Sequence, residues 1–220
     1  GYNLNNSLSY SAGSEKSTVY FSYANTTAKG LIPTDKLQRN NFDLRVTAEL
    51  LPKLSLDFKV TYFDQQMANR MVGEDNYFDP MKELIHMPRS IRTADMKNYE
   101  YYTPDGSLKQ NFWDPTGTTS LSNPYWDIHR RIAPTNRDRL TSFALLKYDF
   151  TDWLSLQGRV SIDNIYDNAE EKIYWDAQYV NSGTGNYYTA FSNSRALTSD
   201  AMLDFHKTFA GSWEVSAIVG

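Results

Sequence analysis

Residues 139–163 read RLTSFALLKYDFTDWLSLQGRVSID. The stretch describes two long strands joined by a very short turn at Phe150-Thr151-Asp152-Trp153. In its second half Leu154, Leu156, Val160 and Ile162 alternate with Ser155, Gln157, Arg159, Ser161 and Asp163. A period of two places successive side chains on opposite faces, so one face is apolar and the other charged. In the first half Leu140, Ala144, Leu146 and Tyr148 share a face opposite Thr141, Lys147 and Asp149, and Phe143 and Leu145 blur the polar side. Tyr148, Phe150 and Trp153 crowd the turn. A hairpin of this kind either lines a soluble sandwich or crosses a membrane.

The same alternation recurs on both sides of it. Tyr2, Leu4, Leu8 and Tyr10 alternate with Asn and Ser, and Val19, Phe21 and Tyr23 follow a turn at Gly13-Ser14-Glu15-Lys16. Between Asn41 and Leu50, Phe42, Leu44, Val46, Ala48 and Leu50 oppose Asp43, Arg45, Thr47 and Glu49. Leu51-Pro52-Lys53 is a tight turn, where proline is tolerated. Beyond it Leu54, Leu56, Phe58, Val60 and Tyr62 oppose Ser55, Asp57, Lys59 and Thr61. Ala201, Leu203 and Phe205, a turn at Phe209-Ala210-Gly211-Ser212, and Trp213, Val215, Ala217 and Val219 complete the pattern. The predicted strands are 2–12, 17–25, 39–50, 54–66, 138–149, 154–167, 197–208 and 213–220.

From about 68 to 136 the alternation stops. A connection of roughly 70 residues far exceeds the usual ~4–6, so it is expected to carry structure or a function. Asp79-Pro80 predicts a short helix to about Met87, Thr93 to Tyr99 another turn of helix, and Tyr102-Thr103-Pro104-Asp105-Gly106 a chain reversal. A second polar connection, of roughly 30 residues, precedes Arg195.

Composition narrows the choice. The 220 residues contain no Cys, which excludes disulfides and thiolate metal sites. The net charge of −4 comes without a basic patch, so nucleic acid is not expected as a partner. Aromatics make up 15% of the chain, with 16 tyrosines. No apolar run approaches the ~20 residues of a membrane helix, which leaves barrel strands open because they alternate. Both ends fall inside strands, and the chain is read as an excerpt with no signal peptide. Eight strands in four hairpins, with short turns at one end and long connections at the other, predict an all-β fold. The expected fold is an antiparallel transmembrane β-barrel segment, part of a larger barrel. Phe150, Trp153, Phe209 and Trp213 would form an interfacial girdle. The charges at Asp43, Arg45, Glu49, Asp57, Lys59, Arg159, Asp163, Asp200 and Asp204 suit a wide wet lumen. The alternatives are a soluble carbohydrate-binding β-sandwich and a complete small adhesive barrel.

Several segments resemble the SusC/RagA family of TonB-linked outer-membrane transporters. They are Tyr148-Asp149-Phe150-Thr151-Asp152-Trp153-Leu154, Asn123-Pro124-Tyr125-Trp126, Met87-Pro88-Arg89-Ser90-Ile91 with Asp95-Met96-Lys97-Asn98-Tyr99, and the strand start Arg39-Asn40-Asn41-Phe42. The resemblance implies a 22-stranded barrel with an N-terminal plug, energy from the TonB complex, a SusD-like surface lipoprotein lid, and glycan or peptide cargo. It implies residence in the outer membrane of a Gram-negative bacterium. Neither plug nor TonB box is visible in these residues.

Candidate site residues lie in the long connection. Aromatic rings stack on sugars and peptide side chains. Trp113, Trp126, Tyr125, Tyr101 and Tyr102 are the expected ligand contacts, while most of the other loop aromatics should pack into the loop's own core. His86, His129 and His206 have no neighbours at metal-ligand spacing, and Glu74, Asp75 and Asp79 lack the order of a calcium loop. No nucleophile elbow, phosphate loop or dinucleotide fingerprint occurs, so neither an enzyme nor a cofactor is expected. Asn25-Thr26-Thr27 matches a glycosylation sequon only at chance level.

Overall fold

The computed structural model describes residues 1–69, 79–112, 122–177, 183–209 and 211–220. In chain order the elements are β1 (Tyr2–Gly13), β2 (Ser17–Lys29), β3 (Lys36–Leu51), β4 (Leu54–Met67), α1 (Pro80–His86) and α2 (Thr93–Met96). They continue with β5 (Glu100–Tyr102), β6 (Leu108–Gln110), α3 (Pro124–Arg130), β7 (Arg131–Ile132), β8 (Thr135–Thr151), β9 (Leu154–Ile173), β10 (Asn186–Phe209) and β11 (Trp213–Val219). The main sheet runs β1-β2-β3-β4-β8-β9-β10-β11, every neighbouring pair antiparallel, with β7 added onto β9. It is a meander in one layer, and β5 and β6 form a separate hairpin.

The register lines the apolar residues up across strands. One row runs Ala12, Val19, Val46, Phe58, Ala144, Val160. The next runs Tyr10, Phe21, Leu44, Val60, Ser142, Ile162, Leu197. No second sheet covers this face: Leu44, Leu156 and Val160 are 38%, 41% and 48% exposed. A sandwich would bury these same residues between two sheets, so the single exposed apolar layer excludes the sandwich. In a membrane the face needs no protein cover, provided the backbone is paired strand to strand. The opposite face carries ion pairs between neighbouring strands. Arg45 donates to Asp57 at 2.9 and 2.7 Å, Arg139 to Asp163 at 2.9 and 2.6 Å, and Arg159 to Asp200 at 2.9 Å. These pairs are solvated, and such pairs contribute little to stability. They keep the polar face saturated while leaving it wet.

Two of the short turns reverse through a left-handed residue. Lys53 takes φ 77° and Gly211 φ 70°, the left-handed region in which a tight reversal is made. Register shifts flank two of the short turns, between Glu49 and Leu51 and between Asp149 and Thr151. Each turn carbonyl then accepts from a later strand: Lys16 from Glu49, Lys53 from Asp149, and Trp153 from His206. The turns are therefore staggered in the same sense from one hairpin to the next, as tilted barrel strands require. Aromatics gather here as expected: Tyr148 meets Phe150 edge-on at 4.9 Å, and Trp153 meets Phe205 at 5.4 Å. Lys207 sits 4.5 Å over the Trp153 ring, its stem along the apolar face.

Strands run further than the alternation predicts. β9 continues to Ile173 and β10 starts at Asn186, where a long polar connection was expected. The physical reason lies in the pairs themselves: Lys172 opposes Tyr187 and Glu170 opposes Thr189. Above the apolar band both faces are wet. The backbone ladder continues there without any hydrophobic alternation to announce it.

Candidate functional site: the loop assembly

At the end opposite the short turns, the connection between β4 and β8 folds on its own core. Both α1 and α3 begin with the same device. Asp79 accepts from the Met81 amide at 2.9 Å ahead of Pro80, and Asn123 accepts from the Tyr125 amide at 2.9 Å ahead of Pro124. A side-chain oxygen satisfies an orphan amide, and proline at the first helical positions loses no bond. The expected turn at 102–106 closes the β5–β6 hairpin, with Gly106 at φ 85° and its amide donating to Thr103 at 2.9 Å.

Two asparagines tie these pieces together. The Asn123 side chain donates to the carbonyls of Met96 at 3.1 Å and Asn111 at 3.0 Å, while its amide donates to Gln110 Oε1 at 2.6 Å. Asn69, at the end of β4, accepts from the Ala133 amide at 2.8 Å and donates to Ile128 and Arg131 carbonyls, each at 3.3 Å. Buried amides of this kind are fully used, which fixes one arrangement of the segments they join. Around them Trp126, Met96, Ile128 and Ala133 are buried, together with Ile173 and Ala177 from the β9–β10 side.

The second loop is locked to the first. Asp176, at φ 73°, accepts from Lys109 Nζ at 3.0 Å and from the Gln110 amide at 2.8 Å. Arg130 makes a two-pronged contact to Glu100 at 2.6 and 2.7 Å and lies 4.9 Å over the Tyr174 ring. Arg131 pairs with Glu171. The Arg130 guanidinium is held charged chiefly by the Glu100 hydrogen bond, which raises its pKa.

The core also holds two carboxyls. Glu83 on α1 is 1% exposed and Asp127 on α3 is 2% exposed. Burial first, then the nearby Asp127 charge, pushes Glu83 up to about 8, against the Ser122 backbone amide, which favours the charged form. Burial pushes Asp127 up to about 7, with the Ser122 hydroxyl and Arg131 opposing. Removing such groups from water disfavours their ionised forms.

The predicted contacts separate on this framework. Trp126 is 1% exposed and belongs to the core, so it presents no face to a ligand. That corrects its expected role: the loop uses its ring to stay folded. Tyr125 is half-buried at the first turn of α3. Tyr101 and Tyr102 stand exposed on β5, at 50% and 68%. Trp113 lies outside the described residues, as do Glu74 and Asp75. Tyr101 opposes Lys109 across the hairpin, and Lys109 Nζ lies 5.8 Å from the Trp175 ring centre. Sequence reasoning missed Trp175, and with it Tyr174, Tyr187 and Tyr188, all exposed on the β9–β10 side. The signal was present as the doublets Tyr174-Trp175 and Tyr187-Tyr188. His129 stacks on Tyr99 at 5.1 Å, and no cluster of three or more metal-ligating acids or histidines occurs among the described residues. Chemically the assembly offers exposed aromatic faces beside paired charges.

No family model matches the chain, and no curated protein matches it. Solved structures do. A structure of the RagAB peptide transporter superposes with a TM-score of 0.74 at 15% identity, over 98% of this chain and 23% of that one. The RagAB peptide importer matches in its closed-closed and open-open states, each with a TM-score of 0.69 at 15% identity, over 97% of this chain and 23% of the other. The chain thus spans about a quarter of the length of the chains it matches. Taken with the single exposed apolar layer, these likenesses identify the fold as an antiparallel transmembrane β-barrel segment of the kind that transporters use.

Proposed function

We propose that this chain forms wall and extracellular loops of a TonB-dependent, SusC-like importer in the outer membrane of a Gram-negative bacterium. The cargo is an oligomeric nutrient such as a peptide or glycan. The observation that carries the reading is the locked pair of loops at the end away from the short turns, where Tyr101 opposes Lys109, Lys109 pairs with Asp176 and lies over Trp175, and Tyr101, Tyr102 and Trp175 are all exposed. Aromatic faces with polar tips beside a fixed charge pair suit oligomers with alternating apolar and polar surface. In barrels of this class the long loops face outward and meet cargo first. The likeness to a peptide importer supports the same reading. The outward apolar rows hold the wall in lipid, and the ion-paired face lines a wet path. Energy transfer from the TonB complex and closure by a surface lipoprotein would act through the parent protein. No catalytic step is assigned. In the full-length protein, Tyr101→Ala/Tyr102→Ala should reduce uptake of labelled peptide or glycan oligomers several-fold with barrel heat stability unchanged. Unchanged uptake of both cargo classes would refute the loop's role.

A further inference from the structure

The pairing register carries the outward face beyond the apolar band, and its chemistry changes abruptly there. The last apolar row on β1 to β8 is Leu8, Tyr23, Phe42, Tyr62, Leu140, continued on β9 and β10 by Asn164 and Arg195. The next row toward the long loops is Asn6, Asn25, Asn40, Asp64, Asp138, Tyr166, Asn193. The row after it is Leu4, Thr27, Gln38, Gln66, Asn136, Asn168, Phe191, polar from β2 to β9 with an apolar residue at each end. Tyrosine tips bridge the boundary: Tyr23 donates to Asn40 at 2.9 Å and Tyr62 to Asp138 at 2.6 Å. Asn40 in turn donates to Asp64 at 3.1 Å. The lower polar row is thus held by its own bonds, while Gln38, Gln66, Asn136 and Asn168 are exposed. A groove of about 360 Å³ opens here, with Thr27, Lys36, Gln38, Gln66 and Asn136 as its polar lining and Tyr2, Leu37, Met67 and Pro134 among its apolar lining.

We propose that this ledge and groove bind the saccharide headgroup of a glycolipid in the outer leaflet, whose acyl chains lie on the apolar rows beneath. Rows on one face are two residues apart, or about 7 Å along a strand, so the amide rows stand roughly 7–14 Å above the last apolar row. The first of these rows lies in the headgroup layer, which adds about 5–7 Å to each side of a core about 30 Å thick, and the second lies just beyond it, where the saccharide of a glycolipid extends. Amides both donate and accept, and carboxylates accept, which matches the vicinal hydroxyls of a sugar. A bare phosphate fits the Asp64–Asp138 row poorly, and two cations on this face, Lys29 and Lys36, oppose each other one row above the amides. Asp64 and Asp138 oppose each other directly on this face and would repel a phosphate. Arg39, Arg137 and Arg139 stand on the other face, engaged with Gln65, Asp167 and Asp163. The guanidinium fork that phosphate recognition favours is therefore turned away from the lipid at this level. Arg195 shares the outward face but sits on β10, beyond β9 from the groove.

The test uses the full-length protein that carries this chain, in nanodiscs, with bound lipid counted by native mass spectrometry. Three probes are titrated: lipid A carrying an oligosaccharide core, lipid A without it, and phosphatidylglycerol. The sugar-bearing lipid should bind at least tenfold more tightly than the sugar-free form. Gln38→Ala/Gln66→Ala/Asn136→Ala should abolish that preference and leave phosphatidylglycerol binding as it was. Equal binding of the two glycolipids to the unaltered protein would overturn the proposal, pointing to phosphate or acyl recognition instead. So would a correctly folded triple variant that keeps the full preference. If the triple variant does not fold, the comparison of the two glycolipids still decides.

Discussion

Lys109 Nζ donates to Asp176 Oδ1 at 3.0 Å, and that single contact joins two loops 67 residues apart in the chain. Asp176 takes the Gln110 amide as well, at 2.8 Å, so one carboxylate fixes both the end of the β5–β6 hairpin and the start of the β9–β10 connection. The exposed aromatics on either side keep their relative positions because of it.

Asp176→Asn is accordingly expected to loosen the hairpin without harming the barrel. Asparagine tolerates the left-handed backbone found at this position, φ 73°. What is lost is the charge on a hydrogen bond, worth about 1.5–3 kcal/mol in general. Hydrogen exchange should quicken by roughly tenfold or more between Tyr99 and Asn111, while β3 and β4 amides exchange as before.

Trp126→Ala should be far more damaging than Tyr102→Ala. Removing a buried tryptophan costs about 3–5 kcal/mol, whereas an exposed substitution typically stays within about 0.5 kcal/mol. Trp126 is 1% exposed and Tyr102 68%. Limited proteolysis in the 79–130 region should rise sharply for the first variant and barely for the second. Equal resistance of the two would show that Trp126 is not a core residue.

The loop core should weaken as pH rises. The folded pKa of Glu83 stands at about 8 and of Asp127 at about 7, both above their ordinary values of 4.5 and 3.8. The folded assembly therefore holds protons that the unfolded loop has released. Stability is greatest below the unfolded values, falls between about pH 4.5 and 8, and levels off above that. Glu83→Gln should remove about half of the decline, leaving the part due to Asp127. Exchange rates of α1 and α3 amides, corrected for intrinsic pH dependence, would read this out. A profile flat from pH 5 to 8 in the unaltered protein would contradict it.

What could be read in the chain beforehand followed the solvent. Where one face meets lipid and the other water, as between Phe42 and Leu50, the alternation is forced and the strands were legible. Where both faces are wet, as between Asp167 and Ile173 or Asn186 and Arg195, nothing in the side chains distinguishes strand from loop, and the ladder continued unseen. The site was less legible. Asp79-Pro80 predicts a helix start, and Asn123-Pro124, which carries the same cap-and-proline signal without a clear helical pattern after it, opens α3. Trp126 looked like a ligand contact because a lone sequence does not show that Met96, 30 residues earlier, returns to the same core. The Lys109–Asp176 lock, with Lys109 lying over Trp175, depends on a contact between distant loops that no local pattern encodes.

Substitutions on the two faces of one strand should differ in kind. Val160→Arg puts a charge on the apolar face, where it costs about 2–4 kcal/mol at the bilayer midplane and less toward the edges. Ser161→Arg, one residue on, enters the wet face beside Thr198 and Phe143 and should be nearly neutral. Urea unfolding in detergent-free bilayers would separate them.

The most direct measurement exploits the lack of any native cysteine in these residues. Single cysteines are placed from position 42 to 49 in the full-length protein, in membranes, and treated with a water-soluble maleimide. Positions 43, 45, 47 and 49 should label readily, and 42, 44, 46 and 48 should resist until the membrane is dissolved. Labelling without a period of two, or protection of the odd positions instead, would contradict a wall with one face in lipid and the other in water.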